Sequence, residues 1–325
     1  MSVREPNISV VMPVFNGARF VASAIESIQN QTLEDFEFII VDDGSTDSTS
    51  EILTFYAGRD RRIRVLRQDN TGVVGALNRG IEVARAPLLA RMDADDLSRP
   101  GRFEAQSQFL ADDADCTVAG SAVRLIDAQG NGDRIILHPR RLADLGEAVG
   151  AGRILAHPTA LMRLEAVRKV GGYRPAFQGV EDTDLWLRLV SLGPIGNLEE
   201  VLLDYRMHPD KVTQASTRLT RVKESVARGL AWERFRGLAE SRVEGESILE
   251  RALDFASQAI ADPGSSRNPW MDSRRTRRIL RDILKLDPAL ESACRDWLAR
   301  LALGQVRRLE LVEAAKSFFY RYRWS

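Results

Sequence analysis

Leu88-Leu-Ala-Arg-Met92 is a short, mostly apolar run that stops at Asp93-Ala-Asp-Asp96. A run of that length, closed by a polar turn, fits a buried strand of a parallel sheet. Along extended backbone alternate side chains share a side, so Asp93 and Asp95 can address one ligand together. The same plan recurs upstream. Residues 8–14, 36–41 and 63–66 read as further strands. Amphipathic helical patterns lie between them, at 18–30, from a cap at Thr46 or Asp47 to Phe55, and at 75–84. Four successive β-α steps predict an α/β fold with a doubly wound, mostly parallel sheet. Such sheets bind ligands at the carboxyl ends of their strands. The acidic pairs at Asp42-Asp43 and Asp93-Asp96 stand at two of those ends.

Past residue 114 the pattern changes. Strands are expected at 117–125 and 134–137, and a helix from Glu181 to a stop at Gly193-Pro194. From Ser216 onward long helical periodicity takes over, interrupted at 262–269. The expected organisation is a catalytic domain over 1–214 and a helical subdomain over 215–325. Charge follows this division. The 325 residues hold 46 basic and 46 acidic side chains, but 24 and 31 of these fall in 1–214, against 22 and 15 in 215–325. The first part is therefore net acidic and the second net basic, which bears on partners rather than on fold.

With 44% hydrophobic and 28% charged residues, a mainly disordered chain is excluded. Cys116 and Cys294 cannot build a disulfide framework and lack metal-ligand spacing, so a reducing, cytoplasmic setting is expected. No stretch approaches the roughly 20 apolar residues of a membrane span, and the N-terminus lacks the apolar core of a secretion signal.

Grouped carboxylates repel one another and need a cation or solvent to hold them together. Oxygen ligands favour Mg²⁺ or Mn²⁺, commonly held by one or two carboxylates plus substrate phosphates. A solvated turn is the plain alternative for Asp93-Asp96. For Asp42-Asp43-Gly44-Ser45 the alternatives are contact with a nucleobase or ribose, and turn and capping chemistry.

Taken together, Val10-Val-Met-Pro-Val-Phe-Asn16, Gln29-Asn-Gln-Thr32, Ile39-Ile-Val-Asp-Asp-Gly-Ser-Thr-Asp47, Asn70-Thr-Gly72, Asn78-Arg-Gly80 and Met92-Asp-Ala-Asp-Asp96 occur in order. Gly171-Gly-Tyr173, Glu181-Asp-Thr-Asp-Leu-Trp-Leu-Arg188 and Tyr205-Arg-Met-His208 follow. This series resembles glycosyltransferase family 2, whose members are inverting, nucleotide-sugar-dependent enzymes of the GT-A fold. The resemblance spans about residues 6–214. It implies that Pro13, Phe15, Asn16 and Asp42 line the nucleotide, with Asn78 and Arg79 flanking it. It also implies that Asp93 and Asp95 contact ribose and a diphosphate-bound metal, that His208 stands near that metal, and that Asp182 is the general base.

For Asp182 there is a competing explanation. Glu181, Asp182 and Asp184 open a helix, and carboxylates in a first turn are stabilised by the helix dipole, which weakens them as bases. Crowding among the three opposes that effect. The chain lacks the Gln-x-x-Arg-Trp motif and the membrane helices usual in processive synthases of the family. That favours transfer of one sugar, from a UDP-sugar by the usual guess, to a glycan or lipid-linked acceptor. The rivals are a nucleotidyltransferase, which would need a basic Gly-rich phosphate loop that the first strand lacks, and a nucleotide-sugar-binding module without turnover. In the basic tail, Arg274-Arg-Thr-Arg-Arg278, Arg307-Arg308 and Phe318-Phe-Tyr-Arg-Tyr-Arg-Trp324 suit a solvated helix face or peripheral contact with an anionic membrane, with nucleic acid the least favoured partner.

Overall fold

Apolar runs at the N-terminus form the centre of the sheet, as their pattern requires. In chain order the elements are β1 (Ile8–Val14), α1 (Val21–Gln29), β2 (Phe36–Asp42), α2 (Thr49–Ala57), β3 (Ile63–Arg67), α3 (Gly72–Val83), β4 (Leu88–Arg91) and β5 (Leu97–Ser98). They continue with α4 (Arg102–Asp112), β6 (Val118–Ile126), β7 (Ile135–Ile136), β8 (Arg141–Leu142), α5 (Leu145–Gly150), β9 (Leu161–Arg163), α6 (Leu164–Lys169), α7 (Glu181–Leu189) and β10 (Ile195–Arg206). This computed structural model describes residues 6–151 and 153–208, together with Glu224, Ala227 and Ala231, which are helical. The rest of the expected helical subdomain, its basic clusters and the boundary at 214 lie outside the described residues.

The sheet runs β3-β2-β1-β4-β9-β6-β10-β5, with β7 on β6 and β8 on β10. β1 pairs in parallel with β2 and β4, β2 with β3, and β6 with β10. β9 is antiparallel to both its neighbours, β4 and β6. Strand order reverses beside β1, with β2 and β3 on one side and β4 on the other. A crevice at such a switch point is where open α/β sheets take ligands. The turns after β1 and β4 border it.

Alternation along the strands builds a core on each face. Ile8, Val10, Met12 and Val14 join Phe38 and Ile40 against Val21, Ala24, Ile25 and Ile28 of α1. On the other face Val11 meets Gly80 of α3, where an added β-carbon would lie 2.4 Å from Val11 Cγ1. The helix backbone rests directly on the strand there, a close approach that only glycine allows.

Several element ends differ from the sequence expectation. Residues 18–20 form a turn, with the Phe20 and Val21 N–H groups both donating to the Gly17 carbonyl, so α1 starts at Val21. α3 starts three residues early, because the Asp43 carboxylate accepts from the N–H of Thr71 (2.9 Å) and of Gly72 (2.8 Å). α7 ends at Leu189, ahead of Gly193-Pro194. Among the described residues no helix is long and apolar enough to cross a membrane.

Candidate active site

The loops after β1 and β2 are tied to each other. Asn16 takes a left-handed backbone (φ 49°), which Asn tolerates better than most residues. Its N–H donates to Ser45 Oγ (3.0 Å) and its Oδ1 accepts from the Thr46 N–H (2.8 Å). The Gly17 and Ala18 N–H groups donate to Thr49 Oγ1 and Asp47 Oδ2. This network holds Pro13 at the end of β1 and leaves the Phe15 ring half exposed at the rim.

Asp42 turns inward. It is buried, with Oδ1 accepting from the Ser45 N–H (2.9 Å) and Oδ2 from Ser50 Oγ (2.6 Å). Burial works to raise its pKa, but these hydrogen bonds hold the carboxyl below the ordinary range. These bonds are the turn chemistry that the sequence left open for Asp42 beside base contact. Asn78 is also committed internally. Its amide clamps the backbone of Tyr173, Nδ2 donating to the carbonyl (2.8 Å) and Oδ1 accepting from the N–H (2.9 Å). Arg79 is half exposed and pairs with Glu82 at 2.6 Å.

The acidic turn after β4 gathers three carboxylates. Asp93, Asp95 and Asp96 each offer an oxygen within 4.8 Å of the others. Asp93 and Asp95 are partly open, whereas Asp96 is sealed, with Oδ1 accepting from the Arg206 N–H (2.8 Å). The end of β10 braces this turn. Arg206 Nε donates to the Asp95 carbonyl (2.8 Å), and His208 Nε2 lies 2.9 Å from Asp95 Oδ2. Phe20 packs against both, 4.9 Å from the His208 ring and 4.8 Å from the Arg206 guanidinium. Three converging carboxylates with an imidazole behind one of them fit a hard divalent cation such as Mg²⁺ or Mn²⁺. Asp93 and Asp95 have the open positions, and His208 orients Asp95.

Asp182 stands in the first turn of α7, recessed but not sealed. Burial pushes its pKa up, the Glu224 charge adds to this, and the Thr183 N–H and Arg91 oppose it. Burial likewise raises Glu181, with Asp182 adding to the effect. Burial thus acts against the lowering expected of a carboxylate in a first helical turn, in the direction that a base requires. Asp184 has a different role. It is buried in ion pairs with Arg174 and Arg188, and Arg188 also donates to the Val170 and Gly172 carbonyls (both 2.7 Å). That triad locks α7 to the Gly171-Gly172-Tyr173 loop.

Arg91, Tyr173 and His157 form a polar cluster beside these carboxylates. Arg91, the last residue of β4, is buried and pairs with Asp93. Tyr173 is buried, and its OH lies 2.7 Å from His157 Nε2. His157 packs edge-on to Trp186 of α7, with ring centroids 5.7 Å apart. Burial, reinforced by the Arg91 charge, holds His157 well below its ordinary pKa, so it is neutral at neutral pH. A charged residue inside the run 88–92 was the one available sign of Arg91.

A mixed, largely parallel sheet flanked by helices, with an acidic turn beside its switch point, is the architecture of the GT-A class of glycosyltransferases. Solved structures agree on the fold. S. aureus TarS 1-349 in complex with UDP superposes with a TM-score of 0.61 at 14% identity, covering 98% of this chain and 93% of that one. The mannosyltransferase PcManGT from Pyrobaculum calidifontis, in complex with GDP-Man and Mn²⁺, gives 0.54 at 18% identity, covering 92% and 85%. The chain belongs to glycosyl transferase family 2, whose family model matches residues 9–171. The O-antigen biosynthesis glycosyltransferase WbnJ of Escherichia coli is 33% identical over 213 residues, covering 64% of this chain and 82% of that protein. The protein is accordingly a glycosyltransferase, and the nucleotidyltransferase and non-catalytic readings fall away.

Proposed function

We propose that this glycosyltransferase moves one sugar at a time from a UDP-sugar to a hydroxyl of a glycan or lipid-linked sugar, with inversion and with a divalent cation. The observation that carries this reading is the pairing of two carboxylate groups of opposite character. Asp93 and Asp95 are held by Arg91 and His208 for cation binding, whereas Asp182 is kept basic by burial. The donor assignment draws support from TarS, seen with UDP, and the cation from PcManGT, seen with Mn²⁺. A glycan acceptor is in keeping with the O-antigen role in the name of WbnJ.

In this reading Phe15 offers a flat apolar face to the base, and the turn at Pro13-Asn16, shaped by Asp42, seats the nucleoside, with Arg79 at its flank. Asp93 and Asp95 hold the cation and His208 fixes the orientation of Asp95. The bound cation supplies charge that offsets the leaving diphosphate, so no acid is required on that side. Asp182 takes the proton of the acceptor hydroxyl as its oxygen bonds to the anomeric carbon and the bond to diphosphate breaks on the opposite face. Such a base contributes about 10²–10⁴-fold, and positioning of the two substrates supplies much of the remainder. The basic C-terminal segment is proposed to meet an anionic membrane surface on the cytoplasmic side, where a lipid-linked acceptor would lie.

A calorimetric panel of nucleotide sugars with Mn²⁺ or Mg²⁺ tests this reading. Selective binding of one UDP-sugar that depends on the cation is the expected result. Indifference to all of them overturns it.

A further inference from the structure

Among the described residues, Arg91 is the buried cation with the most unused donors. Two other buried arginines show what a structural guanidinium looks like in the same molecule. Arg102 donates to Gln106, to the Arg91 and Ala160 carbonyls and to the Met92 sulfur. Arg188 donates to Asp184 and to two backbone carbonyls. Arg91 pairs with Asp93, yet its buried Nε–H and Nη1–H have no acceptor among the described residues. Burying a guanidinium is costly unless its donors are used, and a merely structural arginine would not be left in that state. What surrounds Arg91 is the polar cluster of the candidate site. Asp93, Tyr173 and Asp96 act on its charge, and its own charge reaches Asp182, Glu181 and His157. One permanent cation is thus shared by the metal-side turn and the base.

We propose that Arg91 is a positioning residue for sugar transfer, whose guanidinium fixes Asp93 toward the cation site and whose charge supports the ionised Asp182 carboxylate. The proposal rests on the reading of Asp182 as base. Arg suits this task because it stays charged and its planar fork can hold one carboxylate while its remaining donors face others. Among the described residues, the titratable and charged groups that act on Asp182 are Glu181 on its own helix, Tyr173 from the preceding loop, Glu224, and Arg91 from β4. Only Arg91 among these is positive, so its removal has a definite sign.

The test compares the wild type with Arg91→Gln, Arg91→Lys and Asp182→Asn, each checked by thermal melting. Initial rates with UDP-sugar, Mn²⁺ and acceptor are measured across pH. Arg91→Gln is expected to lower kcat about 10²-fold and to move the acidic limb of the kcat profile up by about one pH unit, because an opposite charge has been lost. Arg91→Lys keeps the charge without the fork. It should leave the limb in place and recover kcat to within about tenfold of wild type, with a higher KM for the donor. A folded Arg91→Gln enzyme with wild-type kcat and limb overturns the proposal, even when Asp182→Asn is inactive. If Arg91→Gln does not fold, Arg91→Lys decides: a limb in place with kcat recovered supports the role, and a native melt with kcat as low as Asp182→Asn overturns it. Wild-type transfer by Asp182→Asn overturns the base reading and this inference with it.

Discussion

Gly80→Ala puts the packing of α3 on β1 to a test whose sign is decided by geometry. On an exposed helix this substitution would stabilise by up to about 1 kcal/mol, since alanine loses less entropy. Here the new methyl would sit 2.4 Å from Val11 Cγ1 and 3.0 Å from Cγ2, and Val11 is itself buried. Carbon atoms pack at about 3.5–4.0 Å, so α3 must lift by roughly 1 Å or Val11 must leave its rotamer. Overpacking of this kind costs about 1–3 kcal/mol, enough to cancel or exceed the helix gain. Val11→Ala alone removes two methyl groups, a loss of at least about 1.5 kcal/mol. In the double variant the methyl introduced on α3 fills that space, so the two changes should couple favourably by about 1 kcal/mol. Equilibrium urea unfolding of the four proteins, followed by tryptophan fluorescence, reads the cycle. A neutral or stabilising Gly80→Ala with no coupling to Val11→Ala would refute the close approach. The site is involved too, because Asn78, which clamps Tyr173, lies one half-turn away on the same helix.

Asp184→Ala removes the buried carboxylate that Arg174 and Arg188 share and should destabilise the domain by about 3–5 kcal/mol, visible as a large fall in melting temperature. His208→Ala removes the imidazole that holds Asp95 Oδ2 and should raise the Mn²⁺ concentration for half-maximal activity by about 10–100-fold. The raised pKa of Asp182 means that the folded state holds its proton more tightly than the unfolded state, so above that pKa the ionised group opposes folding. Asp182→Asn should therefore melt higher than wild type at pH 7–8, and the difference should shrink as pH falls through the raised pKa.

The parallel half of the sheet was legible because its strands are apolar on both faces, and Asp93 and Asp95 were legible as a pair because their motif stands at a strand end, whereas His208 was named only through the family resemblance. β9 was not. Three residues at Leu161–Arg163 carry no periodicity, and their place between β4 and β6 is set by pairing with strands about 40 and 70 positions away. Asp42 and Asn78 were legible as special positions, while their tasks stayed open in the sequence because turn capping and ligand contact call for the same side chains. Arg91 and His157 belong to a buried polar cluster assembled from β4, the turn before β9 and the segment leading into α7. Such a cluster exists only once those elements meet.

Asp182 is proposed to deprotonate the acceptor hydroxyl. Single-turnover transfer by Asp182→Asn, set beside its affinity for the nucleotide sugar with Mn²⁺, tests it most directly. Unchanged donor binding with transfer slowed by about 10²–10⁴-fold is the result expected of a lost general base. Transfer at the wild-type rate would contradict it.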